Sequence, residues 1–279
     1  MSNISVNTVE FEQEVANKRS YLFLGARLDA LSDLDVVHVI LKTIERGESR
    51  IIGNHNMHSL YLWHHEPKMQ TFYACADYAY IDGMLLTFLG RIFGLPLRRA
   101  DSATYLEFLP CLARIAVEQQ WRIFFLGARA GVADAAAEKL RKQYPGLQIQ
   151  THHGHFDLEQ QSNDNQKVLS EINAYSPHIL MVGMGMPRQE VWIAENRQHV
   201  KANIISSTGA IMDYIAGVKS AAPRWLRPLY LEWSYRLLTE PNRLWRRYLV
   251  EPWFLLRLIA RRCVVGASQS VATHFIKPY

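Results

Sequence analysis

Residues 181–193 read MVGMGMPRQEVWI, and this stretch decides the fold. The apolar run Ile179–Val182 predicts a buried strand, and Gly183 and Gly185 predict a tight turn directly after it. Pro187 has the backbone geometry of a first helical position, so a helix is expected to follow the turn.

The predicted helix carries polar side chains in its first turn, where Gln189 and Glu190 stand. Free amides at a helix start attract anions, and a strand, a glycine turn and a helix in this order commonly form a ligand-facing edge in α/β proteins. The alternative is a tight turn that merely requires small residues. On its own the stretch does not decide between the two.

Composition indicates an ordinary globular protein, with 279 residues of which 49% are hydrophobic and 20% charged. Such a length suits one large domain, or one domain with an appendage. The three widely spaced cysteines predict reduced thiols in a cytoplasmic protein and no zinc site. The acidic first twenty residues predict no signal peptide, and no run approaches the roughly twenty apolar residues that span a bilayer.

The pattern along the chain predicts an α/β fold, a Rossmann-like and mainly parallel sheet flanked by helices. Strand-like runs lie at Tyr21–Leu24, Arg50–Gly53, Ala79–Ile81, Arg122–Leu126, Ile179–Val182 and Asn203–Ser206. Helical patterns between them include Leu34–Ile44, Met57–His65, Met84–Phe93, Tyr105–Gln119 and Val132–Gln143. Beyond Pro223 the strand pattern stops. We therefore predict an α/β domain over 1–221 and a helical appendage over 222–279.

Four segments place glycine or polar residues just after a predicted strand. They are Asn54-His55-Asn56, Asp82-Gly83, the turn from Gly127 to Gly131, and the stretch from Gly183 to Gln189. If the strands are parallel, these ends meet on one rim of the sheet, where open α/β sheets bind ligands. The Gly127 turn could hold a nucleotide diphosphate on helix amides, although it also fits a plain turn and lacks the full dinucleotide fingerprint.

Asp82 has two interpretations. As a carboxylate at the mouth of an apolar strand, it could accept a proton from a hydroxyl nucleophile. It could equally cap the predicted helix Met84–Phe93, because Asp is a favoured N-cap residue.

Two acidic or histidine-rich groups resemble metal sites. Asp33 and Asp35 lie in a capping box behind Ser32, which assigns them to helix capping. His152, His153, His155 and Asp157 lie in a strand and turn where successive side chains point to opposite faces. We therefore expect no metal site and no cofactor.

The C-terminal segment is basic, since residues 219–279 hold 11 Lys and Arg against three Glu, while the whole chain has a net charge of +5. Arg236, Arg243 and Arg247 share one helical stripe if Pro241 only kinks the path, and Arg246 lies beside them. Basic residues beside Trp, Phe and Leu are typical of interfacial helices. The alternative is packing on the body or on another subunit. Nucleic acid is disfavoured because no recognised binding motif accompanies the charge.

Several motifs together resemble the WecG/TagA/CpsF glycosyltransferases, from about Leu22 to about Leu256. The markers are Asn56, Ile81-Asp82-Gly83, the Gly127 turn, Val182 to Glu190, Gly209-Ala210, Ala222-Pro223-Arg224-Trp225, Glu232-Trp233 and Arg236. The resemblance implies a bacterial enzyme that adds a sugar from a UDP donor to a polyprenyl-diphosphate-linked acceptor. It also implies a cytoplasmic protein held peripherally at the inner face of the plasma membrane by its C-terminal helices.

The resemblance further implies roles for individual residues. Asp82 would be the catalytic base, Gln189 would contact the donor sugar or the acceptor, and Asn56 would line the same pocket. Arg236, Arg243 and Arg246 would come from an appendage that closes over the site.

Two departures from the family pattern flank the implied sugar pocket. Asn54 stands where the family commonly has Thr, and the segment that begins at Arg98 differs from the usual motif. They leave the donor open between UDP-glucose and UDP-N-acetylmannosamine, the two candidates that the resemblance implies. The segments 54–59 and 80–84 lean towards the xanthan-type glucosyltransferases.

The sequence thus predicts a single displacement with inversion, in which Asp82 deprotonates the acceptor and arginines, without a metal ion, stabilise departing UDP. Two other classes stay open. A nucleotide-binding oxidoreductase would need a complete glycine fingerprint and an acid for the ribose. A non-catalytic membrane adaptor would use only the tail. A second copy of the chain is a further candidate partner for the exposed tail.

Overall fold

A computed structural model describes residues 19–226, 229 and 231–266, with the side chains of Arg224 and of residues 262–266 left aside. One eight-stranded sheet has the order β1-β2-β4-β3-β8-β7-β5-β6. Only β1 and β2 pair antiparallel, and every other neighbouring pair is parallel. The predicted α/β class with a mainly parallel sheet is confirmed.

The strands are β1 (Ser20–Phe23), β2 (Ala26–Asp29), β3 (Arg50–His55), β4 (Tyr78–Ile81), β5 (Arg122–Gly127), β6 (Gln148–His152), β7 (Ile179–Gly183) and β8 (Ile204–Ser207). The helices of the body are α1 (Asp33–Glu45), α2 (Met57–His65), α3 (Pro67–Cys75), α4 (Met84–Ile92), α5 (Tyr105–Glu118), α6 (Val132–Gln143), α7 (Asn163–Tyr175), α8 (Arg188–Asn196) and α9 (Ile211–Ala216). A short 3-10 turn, Arg224–Leu226, leads to α10 (Glu232–Thr239), α11 (Pro241–Trp245), a π-helical turn (Arg246–Val250) and α12 (Glu251–Gly266).

The central strands β5, buried from Ile123 to Gly127, and β7, buried throughout, contribute to the core on both faces of the sheet. Phe125 and Met181 pack into one apolar cluster with α1, α5 and α6, whereas Phe124 and Leu180 pack into another with α3, α7 and α8. Burial on both faces explains why these strands read as continuous apolar runs.

Local signals placed most helix starts correctly. The capping box at Ser32 and Asp35 is present, with both reciprocal hydrogen bonds. Pro187 was expected at the first helical position, but it occupies the N-cap, and α8 starts one residue later at Arg188. The sequence did not reveal β2, whose pairing with β1 depends on a turn in which Leu24 and Gly25 both have positive φ.

The C-terminal helices pack on the body rather than standing apart from it. Leu255 and Ile259 of α12 are buried in a third apolar cluster that includes Met57 and Leu60 of α2. Glu251 pairs with His58 of α2 across this contact, at 2.7 Å between Oε2 and Nδ1. The division into 1–221 and 222–279 stays a prediction, and residues 1–18, 227, 228, 230 and 267–279 lie outside the described residues. None of the described helices is both long and apolar enough to cross a bilayer.

Candidate active site

A cavity of about 670 Å³ lies at the carboxyl ends of the parallel strands. The strand-end residues that line it include Asn54 and Asn56 after β3, Asp82 after β4, Ala128 and Arg129 after β5, Gly183 to Met186 after β7, and Thr208 to Ile211 after β8. The predicted meeting of four strand ends is confirmed. The fifth, after β8, was visible in the sequence only as the Gly209-Ala210 pair.

Asp82 stands at the end of β4, half-buried on the cavity wall. Its backbone N–H donates to the carbonyl of His55 at 2.8 Å, which ties it to the neighbouring strand β3. The N-cap position of α4 belongs to Gly83, which has a φ of +96°. The capping role weighed for Asp82 therefore falls to another residue, and its carboxylate faces the cavity.

Asn54 and Asn56 line the same cavity but already have protein partners. Asn54 donates from Nδ2 to the carbonyl of Ser207 at 2.9 Å. Asn56 is the N-cap of α2 and accepts from the Ser59 amide at 3.1 Å. Each amide is thus held in one orientation, as a preorganised ligand contact requires.

His55, between these two asparagines, points away into the core. Its ring stacks on Tyr73 at 3.7 Å, and burial lowers the pKa of His55 to about 3, so the ring is neutral. His55 thus supports the position of β3 and carries no charge near the cavity.

Some glycines at the rim allow close packing of the strand ends, and others line the cavity. A Cβ on Gly183 would lie 2.5 Å from the carbonyl of Gly209, and one on Gly127 would overlap the carbonyl of Gly183. These two glycines therefore allow β5, β7 and the turn after β8 to approach closely. Gly127 is absent from the cavity lining, which Ala128 supplies instead. Gly185 lines the cavity with a φ of +81°.

Gln189 forms hydrogen bonds that connect the turn after β7 to the turn after β8. Its Oε1 accepts from the amides of Gly185 and Gly209 at 3.1 and 3.2 Å, and its Nε2 donates to Glu190 at 2.7 Å. The side chain is fully buried. A direct contact between Gln189 and a sugar stays a prediction, while the observed bonds assign it a positioning role.

Glu190 is a buried carboxyl behind the site, and burial raises its pKa to about 7. Between pH 4.5 and about 7 the unfolded chain loses this proton while the folded chain keeps it, so stability falls as the pH rises. We expect Glu190→Gln to gain stability relative to the wild type over that interval, by about 3 kcal/mol at most. Urea unfolding at several pH values measures this difference. The same substitution at exposed Glu138 of α6 is the control, and a difference at Glu190 that does not change with pH would contradict the prediction.

Three arginines of the appendage reach the cavity. Arg236 of α10, Arg243 of α11 and Arg247 of the π-helical turn all line it, as the predicted helical stripe requires. Arg243 is held by Glu240 through two bonds of 2.7 and 2.8 Å. The Nε atoms of Arg236 and Arg247 are buried and have no hydrogen-bond partner among the described residues.

Both of these partly buried arginines are close enough to Asp82 for its charge to act on them. Burial lowers the pKa of Arg247, whereas at Arg236 the nearby Tyr214, Tyr248 and Asp82 outweigh burial and raise the pKa. The Arg236 guanidinium also lies over the Tyr214 ring, 5.8 Å from its centroid. Desolvated cations with open donors create a strong preference for an anion in the cavity.

Arg246 and Arg98 both lie outside the cavity, and their roles as site residues stay predictions. Arg246 is exposed, stacks on Trp245 with 5.4 Å from Cζ to the ring centroid, and is not part of the cavity lining, because consecutive residues of a helix point in different directions. Arg98 is also exposed outside the cavity, where Asp101 holds its guanidinium at 3.0 Å.

Asp33 and Asp35 belong to a helix cap, and the histidine-rich group 152–157 lies at or near the rim of the cavity. His155 lines the cavity, while His152 bonds to the carbonyl of His153. Within residues 19–226, 229 and 231–266 no three His, Cys, Asp or Glu side chains gather as metal ligands would. Independence from metal stays a prediction.

Comparisons with known proteins agree with this geometry. A family model described as "Glycosyl transferase WecG/TagA/CpsF family" matches residues 21–267. The N-acetylglucosaminyldiphosphoundecaprenol N-acetyl-beta-D-mannosaminyltransferases of Staphylococcus aureus strains COL and MW2 are each 33% identical to the chain over 141 residues. That match covers 50% of this chain and 54% of each relative, so the chain spans about half the length of the curated relatives it matches.

Proposed function

Since the chain belongs to the WecG/TagA/CpsF family of glycosyl transferases, we propose that it moves a hexose from a UDP-sugar to a polyprenyl-diphosphate-linked saccharide in cell-envelope polysaccharide synthesis. The observation that carries the proposal is Asp82 on the wall of a cavity that Arg236 and Arg247, whose Nε atoms are buried, also line. A volume of about 670 Å³ lies within the range of roughly 300–1,000 Å³ that suits a small-molecule ligand.

UDP-N-acetylmannosamine is the first donor to consider, because the names of the Staphylococcus aureus relatives specify N-acetylmannosaminyl transfer. UDP-glucose is the second, and the segments 54–59 and 80–84 favour it. Asn54, where the family commonly has Thr, lines the cavity and is one candidate for the choice between them.

The proposed chemistry is one displacement. The acceptor hydroxyl oxygen forms a bond to the anomeric carbon, and its proton passes to the Asp82 carboxylate. The bond from the anomeric carbon to the UDP oxygen breaks, the electron pair leaves with UDP, and the configuration inverts. General base catalysis of this kind contributes about 10²–10⁴-fold in rate.

Departing UDP gains negative charge, and the cavity has cationic side chains that can stabilise this charge. Arg236, Arg243 and Arg247 line it, and the planar guanidinium matches phosphate oxygens in a bidentate manner. We therefore propose that arginines, rather than a metal ion, stabilise the leaving group. A role for Arg246 stays a prediction from the family resemblance.

The direct experiment offers the protein UDP-N-acetylmannosamine, UDP-N-acetylglucosamine or UDP-glucose with a short prenyl-diphosphate-linked N-acetylglucosamine. Mass spectrometry of the acceptor is expected to show one added sugar from one donor, a hexose from UDP-glucose or an N-acetylhexosamine from either of the others, with the same rate in EDTA. Loss of activity in EDTA would contradict the arginine proposal. No transfer from any donor would contradict the proposed function, and binding of NAD with substrate oxidation would favour the oxidoreductase.

Peripheral attachment to the inner face of the plasma membrane is the second part of the proposal. The appendage exposes large apolar side chains beside its arginines, among them Trp225, Leu238, Trp245, Leu249, Val250 and Trp253. Such a surface suits the interface of an anionic bilayer, where the lipid acceptor resides.

Trp253, which is 71% exposed, allows a direct test of this attachment. We expect Trp253→Glu to weaken binding to phosphatidylglycerol–phosphatidylethanolamine vesicles by about tenfold or more, because burial of one large apolar side chain contributes about 1.5–3 kcal/mol. Vesicle sedimentation measures the change, and Leu34→Glu, at a 69% exposed position of α1, is the control. Unchanged vesicle binding together with a change of oligomeric state would instead assign the surface to subunit contact.

A further inference from the structure

A second and smaller cavity adjoins the large one. It measures about 250 Å³ and lies between α4, residues 221–222 and α10. The wall that both cavities share includes Asn56, Asp82, Arg236, Arg247 and Tyr248. The proposed base and the two arginines are therefore accessible from both cavities.

The two cavities differ in chemistry. Strand ends and turns rich in backbone amides line the large one, including Gly183, Gly185 and Gly209. Apolar side chains dominate the part of the small cavity that the large one does not share, such as Met84, Leu85 and Trp233. The large cavity thus suits a polar ligand with many hydrogen-bonding groups, and the small one suits a ligand with an apolar portion.

The two cavities also differ in volume. A volume of 250 Å³ is below the range of roughly 300–1,000 Å³ that encloses a drug-sized ligand, so a complete nucleotide sugar fits only the large cavity. A single sugar ring is small enough for the other. Two ligands can therefore occupy the site together, one on each side of Asp82.

Inverting displacement requires this arrangement, because the nucleophile and the leaving group must lie on opposite sides of the anomeric carbon. Resting on the proposed function, we infer that the small cavity is the acceptor subsite. It takes the terminal sugar of a prenyl-diphosphate-linked saccharide and presents its hydroxyl to Asp82, while the UDP-sugar fills the large cavity.

The surroundings of the small cavity suit the lipid part of that acceptor. Leu85 lines the cavity, and Phe88 and Ile92 follow it on the same stripe of α4 at helical spacing. Phe88 is 40% and Ile92 is 57% exposed, so the stripe continues from the cavity to the surface. Trp233 of α10 also lines the small cavity. A prenyl chain leaving the cavity would meet apolar groups along this path.

A pair of substitutions on one loop separates the subsites. Ala222 lines only the small cavity and Ser220 only the large one, although they are two residues apart. Ala222→Phe is expected to raise the acceptor KM at least tenfold and to leave the Kd for UDP, from calorimetry, within twofold. Ser220→Phe is expected to raise the Kd for UDP at least tenfold and to leave the acceptor KM within twofold. An unchanged acceptor KM in Ala222→Phe, or weaker UDP binding in both variants, would overturn the assignment.

A binding measurement makes the inference independent of turnover. A short prenyl-diphosphate-linked N-acetylglucosamine is titrated into the wild-type protein with and without saturating UDP, and thermal unfolding confirms that both variants fold. Acceptor binding that UDP does not weaken, lost in Ala222→Phe and retained in Ser220→Phe, supports a separate acceptor subsite. Competition between this acceptor and UDP contradicts it. If no UDP-sugar supports transfer while both ligands still bind together, the proposed function fails and the two-subsite arrangement survives.

Discussion

Replacement of Asp82 by Asn is expected to lower kcat by about 10²–10⁴-fold while the protein stays folded. The carboxylate faces the cavity, and the cap of α4 belongs to Gly83, so the amide removes a proton acceptor without removing a helix cap. The measurement is the rate of sugar transfer at saturating donor and acceptor. The fold is monitored by circular dichroism.

The same variant distinguishes a base from a residue that only holds arginines in place. Asp82 raises the pKa of Arg236 through its charge, after the stronger effects of burial, Tyr214 and Tyr248. Removing a negative charge beside an anion site should tighten UDP binding if Asp82 acts as the base. If Asp82 mainly positions Arg236 and Arg247, UDP binding should weaken together with kcat.

Asp77 provides a matched control at the other end of β4. It bonds to the Ile51 amide at 2.8 Å and to Arg50 at 2.9 Å, away from both cavities. Asp77→Asn is therefore expected to lower the melting temperature, because it weakens these contacts. It should leave kcat within about threefold, because Asp77 lines neither cavity. Equal kcat in Asp82→Asn and wild type would end the assignment of Asp82 as base.

The sheet and the rim could be predicted because their signals are local. Continuous apolar runs at Arg122–Leu126 and Ile179–Val182 mark strands buried on both faces, and polar residues after each strand must meet if the strands are parallel. The position of Asp82 on the cavity wall follows from that rule alone. Its role as a base came from the family resemblance combined with this position.

Other features depend on contacts between distant segments. The sequence could not show that the Gln189 side-chain oxygen accepts hydrogen bonds from the amides of Gly185 and Gly209, because those two glycines are 24 residues apart. Nor could it decide between Arg246 and Arg247, which a π-helical turn at 246–250 places on different sides of the helix. The small cavity could not be predicted either, since residues from six separate segments of the chain line it.

Arg236→Gln is expected to lower kcat by about 10²–10³-fold, the usual cost of removing one preorganised group that stabilises transition-state charge. Arg236 lies on the wall that both cavities share, beside Asp82, and its Nε has no hydrogen-bond partner among the residues the structure describes. The measurement is again transfer at saturating substrates. Arg257→Gln on the exposed side of α12 removes the same charge outside both cavities and should keep kcat.

Two further outcomes make the Arg236 test specific. Burial of a cation with an open donor costs stability, so Arg236→Gln should unfold no more easily than wild type although it is far less active. Arg236→Lys keeps the charge but loses the planar fork, and should recover only part of the activity. Full activity in Arg236→Lys would mean that charge alone suffices. Loss of both stability and activity in Arg236→Gln would mean that the guanidinium holds α10 on the body, and the stabilisation of departing UDP would then rest on Arg243 and Arg247.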